Sequence, residues 1–529
     1  MFEILKMFVF CVLAISIFGS PSSASNCEKL NSIAALEDGS TVVDTNVKML
    51  AGTWISEGCE TRPGPEYVLR YYNFEEDGKY FLTQHHYWDD SCSSPQLSVH
   101  SYGRIQLRNS LIQPGAASGI FKVSNITVIP QDDSAARELD KTVSMECPSQ
   151  PWKSWRKYQE HTVYDSRYDE NRKFKLWLST DKTNNQYSVN SKGSNVHFSD
   201  ISCLGSLKWA FNELKLLKIQ LRPLIEQMKK VPREVKMELL LGDIHSNYKL
   251  RQYYTPTSFQ VPLVKHVKEP TQVFINRHTF TIQNTHAIPH NLFSNSKTPP
   301  HLIEKPHLPP YIWGQWTSTR CESRPGGNLY LTRKFSFYSE DATWIGEHNF
   351  YSDPFCRIPK FIVTAAGHFV LEGLNRELRG TSNIDFQIER ASLTVFDQKM
   401  IVDMSLADLC GQGVWQVSVP KELSITGGCF PLGINIPSMQ YDIVKMEMDY
   451  RGACLLYLGQ VKTDLMETNE KSNRPSSFQL PLVKCGEVPT YSQGLRDILN
   501  EQVYGYNKGL GVRIEPLIYL LGMFCYFLR

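Results

Sequence analysis

At 529 residues, with 41% hydrophobic and 21% charged side chains, the chain is too long for one core and too ordinary for a disordered or fibrous protein. A net charge of +2 gives no basic footprint for nucleic acid. Thirteen cysteines without one C-x-x-C pair argue against zinc ribbons and dithiol redox chemistry.

The chain opens with Lys6 ahead of the short apolar run "MFVFCVLAISIF" and the small-residue stretch "GSPSSAS". This pattern reads as a secretory signal peptide, residues 1–24, and not as a membrane span. The cysteines that follow therefore enter an oxidising compartment, where pairing is the default. Residues 25–47 form an N-terminal segment that holds Cys27.

An unusual sentence is then written twice. "GTWISEGCETRPGPEYVLRYYNF" begins at Gly52, and "GQWTSTRCESRPGGNLYLTRKFSF" begins at Gly314. The likeness continues with gaps. Asp89 and Cys92 meet Asp353 and Cys356, and "CPSQPW" meets "CGQGVW". Farther on, "LLLGDI" meets "LYLGQV", and "PTSFQVPLVK" meets "PSSFQLPLVK". Matching ends around a gapped middle predict two homologous domains, residues 48–268 and 311–486.

Each copy reads as β-rich. Two aromatic runs flank a turn at Asp77-Gly78, a hairpin signal, and "SVHSYGRIQL" and "IFKVSNITVI" supply further strands. Val68, Arg70, Tyr72 and Phe74 fall on one strand face, and Leu331, Arg333, Phe335 and Phe337 fall on its equivalent. These eight are the candidate lining of an apolar pocket. The expected fold is mainly β: two β-barrel-like domains in tandem, with a minor helix in the first over residues 207–231. Repeat two has no obvious counterpart of that helix at "ITGGCFPLGINIP".

Residues 269–310 are rich in Pro, Asn, Ser and His and read as a linker. Four of its histidines, His286, His290, His301 and His307, lack the cysteines or carboxylates of a metal site. Residues 487–512 read as a stalk. Residues 513–529 are an apolar tail, shorter than the roughly 20 residues of a comfortable span. It reads either as a short transmembrane anchor or as the signal for a GPI anchor.

The cysteines follow the repeat. Cys59 and Cys92 match Cys321 and Cys356, and Cys147 and Cys203 match Cys410 and Cys429. Cys454 and Cys485 have no counterparts, so they are expected to pair with each other. Cys27 is then left over: free, bonded to another chain, or displacing one of these assignments. Asn125 opens the sequon Asn125-Ile126-Thr127 and is a candidate glycosylation site.

Four features invite a chemical reading. Trp54 and Trp316 in G-x-W read as structural plugs. Glu60 with Arg62, and Glu322 with Arg324, read as ion pairs or turn devices beside a cysteine. Arg70 and Arg333 on apolar faces need partners, and a glutamate such as Glu60 fits. "HHYWDD" offers His85, His86 and Asp89 to a hydrolase, but the second copy keeps no histidine there. No nucleophile elbow, zinc helix, phosphate loop or calcium loop occurs.

The doubled G-x-W…C-E-x-R-P-G, the "YSDPFC" ending, "C-G-x-G-x-W", "LLLGDIH" and the paired "SFQ-x-PLVK" resemble adenomatosis polyposis coli down-regulated 1 proteins. The resemblance covers nearly the whole chain. It implies a membrane-tethered, glycosylated inhibitor of Wnt signalling on the extracellular face of the cell membrane. It implies binding of the Wnt ligand and of its co-receptor, of the low-density-lipoprotein-receptor-related class. It further implies an apolar interior suited to the ligand's acyl chain, with no catalytic residues and no cofactor. A chain of about 16 carbons would bury at about 0.8 kcal/mol per CH₂. The other reading is a lipocalin-like extracellular lipid carrier without a signalling partner.

Overall fold

The computed structural model describes residues 26–39, 41–43, 47–146, 154–166, 211–223, 233–251, 253–275, 278–282, 298–326, 329–407, 410, 414–449, 452–463 and 470–487. The signal peptide, Cys147, Cys203, His286, His290, the stalk beyond 487 and the apolar tail lie outside them.

The chain enters as helix α1, Asn26–Gly39. Eight strands follow: β1 Gly52–Ser56, β2 Glu66–Phe74, β3 Lys79–Tyr87, β4 Pro95–Asn109, β5 Ala117–Pro130, β6 Leu216–Pro223, β7 Arg233–Leu241 and β8 Leu263–His266. Each pairs antiparallel with its neighbours in chain order, β6 pairs with β7, and β8 returns to β1. The result is a closed eight-stranded barrel, which leaves none of the eight as a bare edge. Its core gathers Trp54, Tyr72, Phe74, Tyr80, Leu82, Val99, Leu217, Ile219 and Leu221. Helix α2, Asp133–Glu146, lies after β5, with Asp132 accepting the Ala135 amide at 2.6 Å as its cap.

The second domain repeats the order: β9 Gly314–Ser318, β10 Tyr330–Phe337, β11 Thr343–Tyr351, β12 Pro359–Leu374, β13 Thr381–Ile388, helix α3 Gln398–Ala407, β14 Ser438–Met448, β15 Cys454–Leu458 and β16 Leu482–Gly486. Pairing runs from β9 through β10 to β13, on through β14 and β15 to β16, and from β16 to β9. Trp316, Phe335, Phe337, Trp344, Phe369 and Phe386 pack in its core.

Of the helix expected over residues 207–231, the described part, 211–223, is not α-helical. Asn212–Lys215 is a single 3-10 turn, and Leu216–Pro223 is strand β6. Leu214, Leu217 and Leu221 suit a helical stripe, but L-K-I-Q-L-R also alternates strictly. Ile219 decides it, because Leu217, Ile219 and Leu221 all enter the core. Lys218, Gln220 and Arg222 on the opposite face are buried as well, against other parts of the chain. The longer helices among the described residues, α1, α2 and α3, lie elsewhere. In the stretch read as linker, Thr271–Ile275 and His278–Ile282 form a hairpin whose second strand adds parallel to β7.

G-x-W has a geometric cause. Gly52 and Gly314 have φ of 116° and 115°, where a side chain is strained. A Cβ at Gly52 would lie 2.9 Å from Lys265 Cε, and one at Gly314 would lie 2.9 Å from Lys484 Cε. These are the lysines of the two "PLVK" segments. Trp54 Nε1 donates to the Leu50 carbonyl at 2.7 Å, and Trp316 Nε1 to the Ile312 carbonyl at 2.6 Å. Both indoles are fully buried with their one donor satisfied.

Cys59 bonds Cys92, Cys321 bonds Cys356, and Cys410 bonds Cys429. Cys454 and Cys485, expected to pair, do not. Cys485 bonds Cys27 across a separation of 458 residues, and Cys454 is a free thiol. Helix α1 packs against β9 and β16, which places Cys27 beside Cys485. Non-reducing peptide mapping should recover a Cys27–Cys485 peptide and an alkylatable Cys454. A Cys454–Cys485 peptide would sink this connectivity.

Candidate functional site

Where the two domains meet, the repeated motifs confront one another. A cavity of about 140 Å³ lies between them. It is lined by Glu60, Arg62 and Gln260 from the first domain and by Glu322, Arg324 and Gln479 from the second, the C-E-x-R and S-F-Q segments of each. The junction is held by reciprocal bonds. Gly64 N donates to Ser476 Oγ and Gly326 N to Thr257 Oγ1, both at 2.9 Å. Helix α1 braces the same junction: Arg222 of β6 pairs with Glu37 at 2.7 Å and with Asp38 at 2.5 Å. Asp38 also accepts the Cys321 amide at 2.6 Å.

Behind each C-E-x-R segment sits a buried arginine. Arg70 pairs with Glu60 at 2.8 Å and donates to the Val261 carbonyl at 2.8 Å. Ser56 Oγ donates to Glu60 at 2.6 Å and accepts the Arg70 amide at 2.8 Å. The second domain repeats this with Arg333, Glu322, Leu480 and Ser318. Arg333 pairs with Glu322 at 2.9 Å and donates to the Leu480 carbonyl at 2.6 Å. Ser318 Oγ donates to Glu322 at 3.0 Å and accepts the Arg333 amide at 2.8 Å.

The domains then diverge. In the first, Glu213 from the 3-10 turn takes Arg62 at 2.8 Å, Arg70 at 3.4 Å, Gln260 at 2.7 Å and the Tyr72 hydroxyl. Burial pushes the Glu213 carboxyl up, but the two arginines and these donors outweigh it and hold it below its ordinary value. In the second, Phe335 stands at the place of Tyr72 and His348 at the place of Gln84, as the registers Arg70↔Gln84 and Arg333↔His348 show. Among the described residues no carboxylate takes the place of Glu213. Arg333 Nη1 is buried without a hydrogen-bond partner, and the half-buried Arg324 guanidinium has no bond or ion pair. Asp442 is close enough to feel Arg333, but the Ile443 and Gly459 amides take its Oδ1 at 2.7 and 2.9 Å, and burial pushes its pKa up to about 6.

Val68, Arg70, Tyr72, Phe74, Leu331, Arg333, Phe335 and Phe337 are all buried. Tyr72 and Phe74 pack in the first core, and Phe335 and Phe337 in the second. None of the eight lines the interdomain cavity. Asn125 is half-buried on β5. Asp89 is a turn device: its carboxylate accepts the amides of Ser91, Ser93 and Ser94 at 2.7–3.1 Å, and Asp353 does the same for Phe355, Arg357 and Ile358. His85 bonds Ser98 Oγ at 2.8 Å and is buried as a neutral ring. Among the described residues no group of three or more His, Cys, Asp or Glu side chains is placed to hold a metal. No described helix is long and apolar enough to cross a membrane.

Sequence reasoning missed Glu213 and Lys218. The signal for Glu213 was present: "FNELKLL" carries one acid in an apolar run, as a buried counter-ion does.

These features define a two-domain, mainly β protein with matching buried charge clusters behind its repeated motifs. The family model "Adenomatosis polyposis coli down-regulated 1" matches residues 26–287 and 301–490. The chain belongs to that family, whose members are not enzymes.

Proposed function

We propose that the chain is a cell-surface negative regulator of Wnt signalling that binds the Wnt ligand and engages the low-density-lipoprotein-receptor-related co-receptor. Family membership is the observation that carries this reading. On it, the ectodomain reaches the extracellular face of the cell membrane through the signal peptide of residues 1–24. The tail of residues 513–529 tethers it, and Asn125 carries a glycan. The pairing of the second sheet's last strand with its first supports a second barrel like the first. The acyl chain of the ligand enters an apolar barrel interior behind Tyr72 in the first domain or Phe335 in the second. The aromatic cores support this, and the side chains already packed there would have to part to admit it. The closed eight-stranded antiparallel barrel also fits a lipid carrier of lipocalin type, which would take acyl chains without any Wnt.

Pull-down of acylated against non-acylated Wnt separates these. Capture of the acylated form alone, lost in Tyr72→Ala or Phe335→Ala variants that keep their fold, is the expected result. Equal capture of both forms would remove the acyl mechanism. Capture of neither, with uptake of free fatty acid, would favour the carrier.

A further inference from the structure

The interdomain cavity holds two cations whose counterparts in the other repeat have carboxylate partners. Lys218 is the first. Leu217 pairs with Leu241 and Val444 with Leu458, the last residues of the two matching L-x-L segments, so Lys218 on β6 corresponds to Lys445 on β14. Lys445 is bonded to Asp90 at 2.6 Å, across the domain junction, and to Glu447 at 2.8 Å. In the register that matches Asp89 with Asp353, the residue corresponding to Asp90 is Pro354, and that corresponding to Glu447 is Gln220. Both carboxylates are gone. Lys218 is left buried with its ammonium 5.7 Å from the Phe355 ring centroid, and burial pulls its pKa down to about 8. Asp38 and Glu238 act on it from a distance, but each is spent elsewhere. Asp38 serves Arg222 and the Cys321 amide; Glu238 serves Lys236, Arg320 and Gln220.

Arg324 is the second. Its counterpart, Arg62, is neutralised by Glu213; Arg324 has lost that partner. Burial pulls its pKa down to about 10; Glu322 opposes that shift and Arg333 adds to it. Glu322 is already committed to Arg333 and Ser318. Lys218 and Arg324 line one cavity, whose walls are otherwise largely neutral or already paired and include Phe355, Val261 and Leu480. Among the described residues, a buried Lys218 and a half-buried Arg324 without counter-ions are costly unless an anion joins them.

We propose that this cavity is an oxyanion site, in which Lys218 and Arg324 bind the carboxylate or phosphate group of a small ligand. Its volume suits such a group with a few carbons, held against Phe355 and Val261. The inference stands independently of Wnt binding.

The test is calorimetric titration of the intact protein with acetate and with inorganic phosphate, against chloride at matched ionic strength. Saturable binding of acetate or phosphate is expected, and which of the two binds tighter identifies the group. Lys218→Met and Arg324→Met should each weaken it at least tenfold. Pro354→Asp, which restores the acid that repeat one carries, should weaken it similarly while tolerating the fold. No saturable binding of either anion would overturn the proposal. So would unchanged affinity in Pro354→Asp or in the Lys218→Met/Arg324→Met pair.

Discussion

Replacing Glu213 by glutamine is expected to destabilise the first domain by about 3–5 kcal/mol, the usual cost of stripping a buried ion pair of one partner. The carboxylate is fully buried and answers two guanidiniums, one hydroxyl and two amides at once. Glutamine is almost the same size, so the loss would be electrostatic and not a cavity effect. With it gone, Arg70 would keep Glu60, and Arg62 would lose the one acid it pairs with among the described residues. The second change needed to read the result is Arg62→Met. If charge balance is the cause, the double variant should recover most of the loss, and a double-mutant cycle in guanidinium should show strong coupling. A loss below about 1 kcal/mol for Glu213→Gln would mean that the cluster contributes little. The second domain gives a natural contrast, because there Phe335 replaces the hydroxyl and the acid is absent.

Stability should also fall between pH 6.5 and 5, before ordinary carboxylates titrate. Burial pulls His85 down to about 3, with His100 and His86 adding to it, and pulls His86 down to about 4. Burial, with Arg324 and Arg333 beside it, pulls His348 down to about 3 as well. In the unfolded chain all three return to about 6.5. Their folded values are depressed, so above pH 6.5 none affects the balance. Below that, the unfolded chain takes up protons that the folded chain refuses. Each histidine then costs about 2 kcal/mol by pH 5. Asp442, raised to about 6, works in the opposite sense and offsets about 1 kcal/mol. A net loss of about 5 kcal/mol by pH 5 remains, measurable as a shift of the denaturant midpoint. A midpoint that is level from pH 7 to 5 would show that these rings are not held neutral. His85→Asn should remove about two-fifths of the slope.

What could be read from the residues alone was what has one rigid geometric solution. G-x-W recurs because a positive-φ glycine beneath a lysine and a satisfied indole leave little choice. Arg70 and Arg333 needed acids, and Glu60 and Glu322 lie 10 and 11 residues away. Strand β6 was obscure because its leucines satisfy two periods at once, and only the surroundings choose between them. Helix α1 was missed because "NCEKLNSIAALEDG" has no clear apolar stripe; a disulfide and two acids hold it instead. No local signal marks Cys27 for Cys485, because that bond depends on how the two domains dock. The interdomain cavity was invisible for the same reason. Its residues come from many separate segments of both domains and of helix α1, which meet only after both domains have formed.

The bond between Cys27 and Cys485 makes almost the whole described chain a single covalent loop. A cut anywhere between those residues, including in the stretch joining the two domains, opens the loop without dividing the molecule. A protease acting there would leave a nicked particle that stays whole until it meets a reductant. Two fragments on a reducing gel would therefore be no sign that the halves had parted before reduction.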